Sequence, residues 1–188
     1  ECMTYSIGFK VPRSAELASE LLMGLSEEMA ENAGSSLDVI YQDPSQTAAI
    51  KDAAIPAALQ KFASQAVAKA LKDPQILNCL LGETLTEPKP SVWFDPPDQN
   101  LLSSFAWPCD VHLDRRTKML FDAKHIFING ESFRAAGRDA KLLQKLANEK
   151  FLNAKEASGL TEAAAQLMKA WWEEGWWHPS DLIENDVT

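Results

Sequence analysis

Residues 87–100, Glu-Pro-Lys-Pro-Ser-Val-Trp-Phe-Asp-Pro-Pro-Asp-Gln-Asn, hold four prolines. Each proline fixes φ and lacks a backbone N–H, so neither a continuous helix nor a central strand passes through this stretch. The 188-residue chain must therefore be organised on either side of it. The spacing predicts a boundary near residue 90, with one domain drawn from residues 13–90 and a second from residues 91–188.

On the N-terminal side the apolar residues repeat with a helical period. Ser14 is placed to cap a helix in which Leu17, Leu21, Leu22, Leu25 and Met29 recur every three or four residues, and residues 32–36, with Gly34, should end it. Residues 38–54, with Asp43-Pro44, read as an irregular connection. A second amphipathic helix enters at Ile55-Pro56 and carries Leu59, Phe62, Ala63, Ala66, Val67, Ala70 and Leu71 on one face. Asp73-Pro74 opens a third, with Ile76, Leu77, Leu80 and Leu81 inward and Gly82 as its expected stop. Helices of this size supply more apolar surface than a lone bundle needs, so Leu17, Leu21, Leu25, Leu59 and Phe62 are candidates for a homodimer interface.

Beyond the prolines the pattern changes. Asp98 can cap a short helix through Leu101, Leu102 and Phe105. Lys118–Phe121 and His125–Ile128 read as strands about Asp122-Ala123-Lys124, and Asn129-Gly130 is a strong hairpin turn leading to Ser132–Arg134. Helices follow over residues 138–148, from Asn153 to Ser158, and from Thr161 to Glu174 with Gly175 as stop, before a brief apolar Trp176-Trp177-His178. Three short helices beside hairpin strands predict a winged helix. The fold class is α+β, mostly α.

The opening Cys2-Met3-Thr4-Tyr5-Ser6-Ile7 has strand character, interrupted by Gly8 and Pro12. A single strand cannot satisfy its own backbone groups, so residues 1–12 are expected to be the last strand, and exit, of a domain whose remainder is elsewhere.

Charge and cysteine content exclude several classes. A net charge of −9 argues against a general polyanion binder. The acidity is uneven, since residues 1–100 carry 14 acidic and 7 basic side chains. No run approaches the roughly 20 apolar residues that span a bilayer. Cys2, Cys79 and Cys109 are odd in number and widely separated, unlike a disulfide framework, which points to a reducing cytoplasm.

Four features invite a chemical reading, and each has a plainer one that weighs more. Cys109-x-x-His112 is half of a zinc spacing without its other half, and reads as a buried Cys and a strand His. Asp110, Asp114 and Asp122, interspersed with Arg115, Arg116 and Lys118, read as a solvated turn face rather than an acid/base pair. The Trp171-Trp172-Glu173-Glu174-Gly175-Trp176-Trp177 cluster reads as core before stacking platform. Lys141, Lys145, Lys150 and Lys155 read as a solvated face before an RNA contact. DNA is disfavoured because Thr161–Gly175, the helix that would enter a groove, sets Lys169 against Glu162, Glu173 and Glu174.

Thr4-Tyr5-Ser6-Ile7-Gly8-Phe9-Lys10-Val11-Pro12 resembles the Tyr-Ser-Val-Gly-Phe-Arg-Ala-Pro signature of the bacterial ribosomal oxygenases, JmjC or cupin-4 type enzymes that hydroxylate an arginine of ribosomal protein uL16. Supporting strings fall in family order: Tyr41-Gln42-Asp43-Pro44, Thr86-Glu87-Pro88-Lys89-Pro90 and Phe94-Asp95-Pro96-Pro97. Lys10 and Val11 depart from the usual Arg and Ala. The resemblance implies a parent with a jelly-roll domain using Fe(II) and 2-oxoglutarate, a helical dimerisation domain and a C-terminal winged helix. It further implies that Thr4 and Ser6 edge the cosubstrate pocket. Of the three histidines only His112 has an Asp two residues on, Asp114, and because the family's iron-ligand set closes with a His a few residues before the signature, the resemblance implies that the iron ligands lie ahead of Thr4 rather than at His112. The expectation is a cytoplasmic, non-catalytic portion, without cofactor of its own, of a homodimeric oxygenase acting on a ribosomal protein. The alternative is a stand-alone winged-helix adaptor for protein or nucleic acid.

Overall fold

The computed structural model describes residues 11–31, 39–42 and 54–180. The opening strand, with Thr4 and Ser6, lies outside the described residues. The chain forms two compact units that divide at Leu80/Leu81, ten residues before the expected boundary.

The first unit contains α1 (Ser14–Glu31), α2 (Ala57–Ala70) and the beginning of α3 (Pro74–Thr86). Ser14 is itself the first residue of α1 rather than a cap outside it, and Leu17 N–H donates to the Arg13 carbonyl at 2.9 Å. Pro56 takes the position before α2, where its missing N–H costs nothing. Asp73 fills its expected role, its Oδ1 accepting from Gln75 N at 2.9 Å. On α1 only Leu25 is fully buried, with Leu17 and Leu21 half-buried on the same stripe. Gly24 lets α3 approach closely, since a Cβ there would stand 3.0 Å from Leu80 Cδ2.

Gly82 does not stop α3. The helix runs on to Thr86, and the glycine is buried where the ring of Phe127 crosses it, so that a Cβ would lie 2.5 Å from Phe127 Cγ. Thr86 continues the same contact. Its hydroxyl donates to the Gly82 carbonyl at 2.8 Å and accepts from Gly130 N at 3.1 Å.

The second unit adds α4 (Gln99–Ser104), β1 (Val111–Leu113), β2 (Met119–Phe121), β3 (His125–Ile128), β4 (Glu131–Arg134), α5 (Gly137–Glu149), β5 (Phe151–Leu152), α6 (Ala154–Ala157), α7 (Glu162–Glu173) and β6 (Trp177–Pro179). The strands form two antiparallel sheets, ordered β2-β3-β4 and β5-β1-β6. The first is the expected hairpin pair. Its Asn129-Gly130 turn has φ of 48° and 93°, the two positive values that a tight hairpin demands. The second sheet was not anticipated, because its strands are only two or three residues long. It absorbs the Trp176-Trp177-His178 segment as β6.

Local capping follows the sequence closely. Asp98 Oδ1 accepts from Leu101 N at 2.8 Å, Asn153 and Glu156 form a reciprocal capping box, and Thr161 accepts from Ala164 N. The core gathers Val111, Ile126, Ile128, Leu143, Leu146, Leu152, Met168, Trp171, Trp172 and Trp177. The proline stretch is part of this unit rather than a linker. Lys118 Nζ donates to the Glu87 carbonyl at 2.6 Å, the Phe94 ring lies 6.4 Å from that of Trp176, and Arg116 Nη2 donates to Asp95 at 2.8 Å. Gly175, at φ 75°, ends α7 as expected and also admits the strap, since a Cβ there would meet the Asp95 carbonyl oxygen at 2.6 Å.

Candidate functional site

The apolar stripe of α2 has the expected period, yet none of its residues is buried among the described residues. Phe62 is half-buried, its ring 5.3 Å from that of Tyr41, while Leu59 is 37% and Val67 60% exposed. Val39, Ile40 and Tyr41 border a shallow groove along Ala58, Lys61 and Phe62. On α1, Leu22, Met23 and Met29 are likewise exposed. Of the five candidate interface residues, Leu25 is taken up by the unit itself and Leu59 is the most open.

In the second unit the structure brings together residues that the sequence reading kept apart. Asp110, His112 and Asp114 alternate along β1 and so share its outer face, opposite Val111 and Leu113. His112 lies directly across from His178 on β6. Asp114 is not solvated, as expected of a turn face, but clamped: its side chain is one-tenth exposed and accepts from Arg116 N at 2.7 Å, Nε at 2.8 Å and Nη2 at 2.8 Å. Burial opposes its ionised form, but the hydrogen bonds from Arg116 and from His178 outweigh that and hold the carboxyl well below the usual carboxylate range. The same bonds, with those of Asp95, raise Arg116 above its ordinary value. An ionised Asp114 only accepts, so His178 Nε2, 3.1 Å away, carries the proton between them.

Asp110 is also committed, its Oδ1 accepting from Ala154 N at 2.6 Å and its Oδ2 from the Ser180 hydroxyl at 3.4 Å. The Ser180 hydroxyl also lies 2.9 Å from His112 Nε2. This Asp, Ser and His set ties β1 to the residue that follows β6 and to the first residue of α6. Asp122 closes the β2–β3 turn by accepting from Lys124 N and His125 N. Desolvation raises its pKa, but these two bonds and His125 bring it below the ordinary value. The alternation Asp110-x-His112-x-Asp114 and the Asp114-x-Arg116 pair were the signals that could have revealed this network.

Cys109 packs against the core while His112 lies against the Phe151 ring at 4.6 Å. Among the described residues no three His, Cys, Asp or Glu side chains converge to hold an ion, so an iron fits none of them. The tryptophans are core: Trp171, Trp172 and Trp177 are at most 1% exposed, and Trp177 Nε1 donates to the Met168 carbonyl at 2.7 Å. The outward face of α7 presents Glu162, Gln166, Lys169 and Glu173, with Lys169 turned toward Glu173 at 3.8 Å. Of the four lysines read as one solvated face, Lys145 is held by Glu156 and, at 3.5 Å, by Glu149, which raises its pKa.

Residues 69–178 match the family model of the ROXA-like winged helix. The chain belongs to that family. Among curated proteins, none matches the sequence. The fold of this ROXA-like winged helix chain is shared with solved structures from Escherichia coli. One, described as the crystal structure of the ribosomal oxygenase YcfD, is 16% identical with a TM-score of 0.67 over 93% of this chain and 48% of that one. Another, of YcfD in complex with cobalt and 2-oxoglutarate, is 15% identical with a TM-score of 0.68 over the same shares. The chain spans just under half the length of the structures it matches. Among the described residues no helix is long and apolar enough to cross a membrane.

Proposed function

We propose that this chain is the dimerisation and winged-helix portion of an Fe(II)- and 2-oxoglutarate-dependent hydroxylase that acts on a ribosomal protein in the cytoplasm, and that it is not itself catalytic. The observation that carries the reading is the fold shared along 93% of this chain with 48% of a ribosomal oxygenase. In such an enzyme Thr4 and Ser6 edge the cosubstrate pocket, and the iron ligands belong to residues other than those described. The homodimer is supported by α2, whose 14 residues keep an apolar stripe uncovered. A helix of that length is marginal in water and takes most of its stability from packing of its apolar face, which a second copy would supply.

Light scattering tests the dimer. The expected mass is twice 20.8 kDa, and Leu59→Asp with Phe62→Asp should halve it. A strict monomer of the unaltered chain at high micromolar concentration would refute pairing by these helices. Incubation with Fe(II), 2-oxoglutarate and a ribosomal-protein peptide tests the non-catalytic assignment, which succinate release by this chain would overturn.

A further inference from the structure

We propose that the second unit binds single-stranded RNA along a rim formed by the β2–β3 end of the meander and the first turns of α5, and not through α7. The registers Phe121↔Ile126 and His125↔Arg134 place Phe121, Lys124 and Arg134 at one end of that sheet, and Ala135 N donates to the Lys124 carbonyl at 3.0 Å. The chain turns through Ala135 and Ala136 directly into α5, which brings Arg138 and, one turn on, Lys141 to the same end. Lys124, Arg134, Arg138 and Lys141 are all exposed, and Phe121 is 40% exposed.

The acidic groups at this end are already occupied. Asp122 accepts from the backbone of its own turn, and Asp139 accepts from Thr161 N at 3.0 Å and the Thr161 hydroxyl at 2.6 Å. Glu131 sits at the opposite end of β4. Lys145 on α5, by contrast, is neutralised by Glu149 and Glu156. Among the described residues these four cations pair with no carboxylate; the Arg138 guanidinium lies over Gly159, and with an accessible aromatic ring the set fits a flexible polyanion that also has π-faces to stack. Duplex DNA is a poor match, because α7 offers a major groove the carboxylates of Glu162 and Glu173.

Fluorescence anisotropy with a labelled oligouridylate and the whole chain tests this. Four phosphate contacts predict an affinity that falls with salt at a log–log slope near −3, about −0.7 per contact. Lys124→Glu with Arg134→Glu should weaken binding by roughly tenfold or more at low salt and flatten that slope by about half. Phe121→Ala should weaken it several-fold at unchanged slope, and Lys169→Glu on α7 should leave it alone. If circular dichroism shows the Lys124→Glu, Arg134→Glu variant misfolded, Lys141→Glu on the exposed face of α5 should flatten the slope by about a quarter. The proposal is overturned by absent binding at low salt, by a slope indifferent to these substitutions, by loss on Lys169→Glu, or by polyglutamate competing as well as oligouridylate, which would assign the rim to an acidic protein.

Discussion

Replacing Gly82 by Ala separates two roles that a glycine can have in this position. In a solvent-facing helix interior, or at a stop that the helix could extend through, the change gains about 1 kcal/mol because alanine loses less backbone entropy. Here the new Cβ would stand 2.5 Å from Phe127 Cγ, and Phe127 is only 3% exposed, so the ring cannot swing into solvent to relieve it. Inserting a methyl group into such packing costs about 1–3 kcal/mol. Set against the gain of about 1 kcal/mol, the net expectation is a loss of up to about 2 kcal/mol, or up to roughly 10 °C in Tm for a unit of about 100 residues. Thermal and urea unfolding read by tryptophan fluorescence report on this unit, since Trp171, Trp172 and Trp177 lie in its core. A Gly82→Ala protein stabilised by the full gain of about 1 kcal/mol would refute the close-approach argument. In the Gly82→Ala background Phe127→Leu should cost less than it does alone, with a coupling above about 0.5 kcal/mol.

Two further perturbations probe polar groups of the same unit. Thr86→Val keeps the shape of a fully buried side chain but leaves Gly130 N–H without its acceptor, so a loss of about 1–3 kcal/mol and faster exchange of the Gly130 amide are expected; unchanged exchange would show that the bond contributes nothing. Asp114 has its carboxyl depressed in the folded state, so its contribution is complete above the ordinary value of about 4 and is lost as pH falls through the folded-state value. Asp114→Asn should therefore lower stability at pH 7 while flattening the decline on acidification to pH 3, and urea midpoints that fall in parallel for both proteins would refute the clamp.

What could be read in advance was whatever is decided within a few residues. The caps at Asp98, Asn153 and Thr161 each bond to the amide three positions on, and the Asn129-Gly130 turn needs only its own two positive φ values. The tryptophan core was legible for the same reason, as helical spacing with Met168 and Leu167. The unread parts depend on distant partners. Gly82 looks the same whether it ends a helix or admits Phe127, and nothing near it in sequence says which. The prolines of residues 87–100 forbid helix but do not say whether the segment hangs free, and its attachment to Lys118, Arg116 and Trp176 comes from residues beyond it. Three-residue strands carry too few positions for an alternation to register. The face of α2 announces an amphipathic helix without naming what covers it, and the signature strand with Thr4 and Ser6 lies outside the described residues.

The β5-β1-β6 order sets a timetable for synthesis. Its middle strand is made first, while both flanking partners come much later, and the bond from His112 to Ser180 joins positions 68 apart. Contacts of such separation are slow to form and give the chain nothing until the loop between them has closed. On a ribosome the β2-β3-β4 sheet and α5 can assemble as they emerge, but β1 must wait with one edge open until Leu152 has cleared the exit and the other until Pro179 has. An open-edged strand is a template for pairing with other chains. The brevity of β1, three residues, and the charged partners along its outer face limit what it can recruit during that wait.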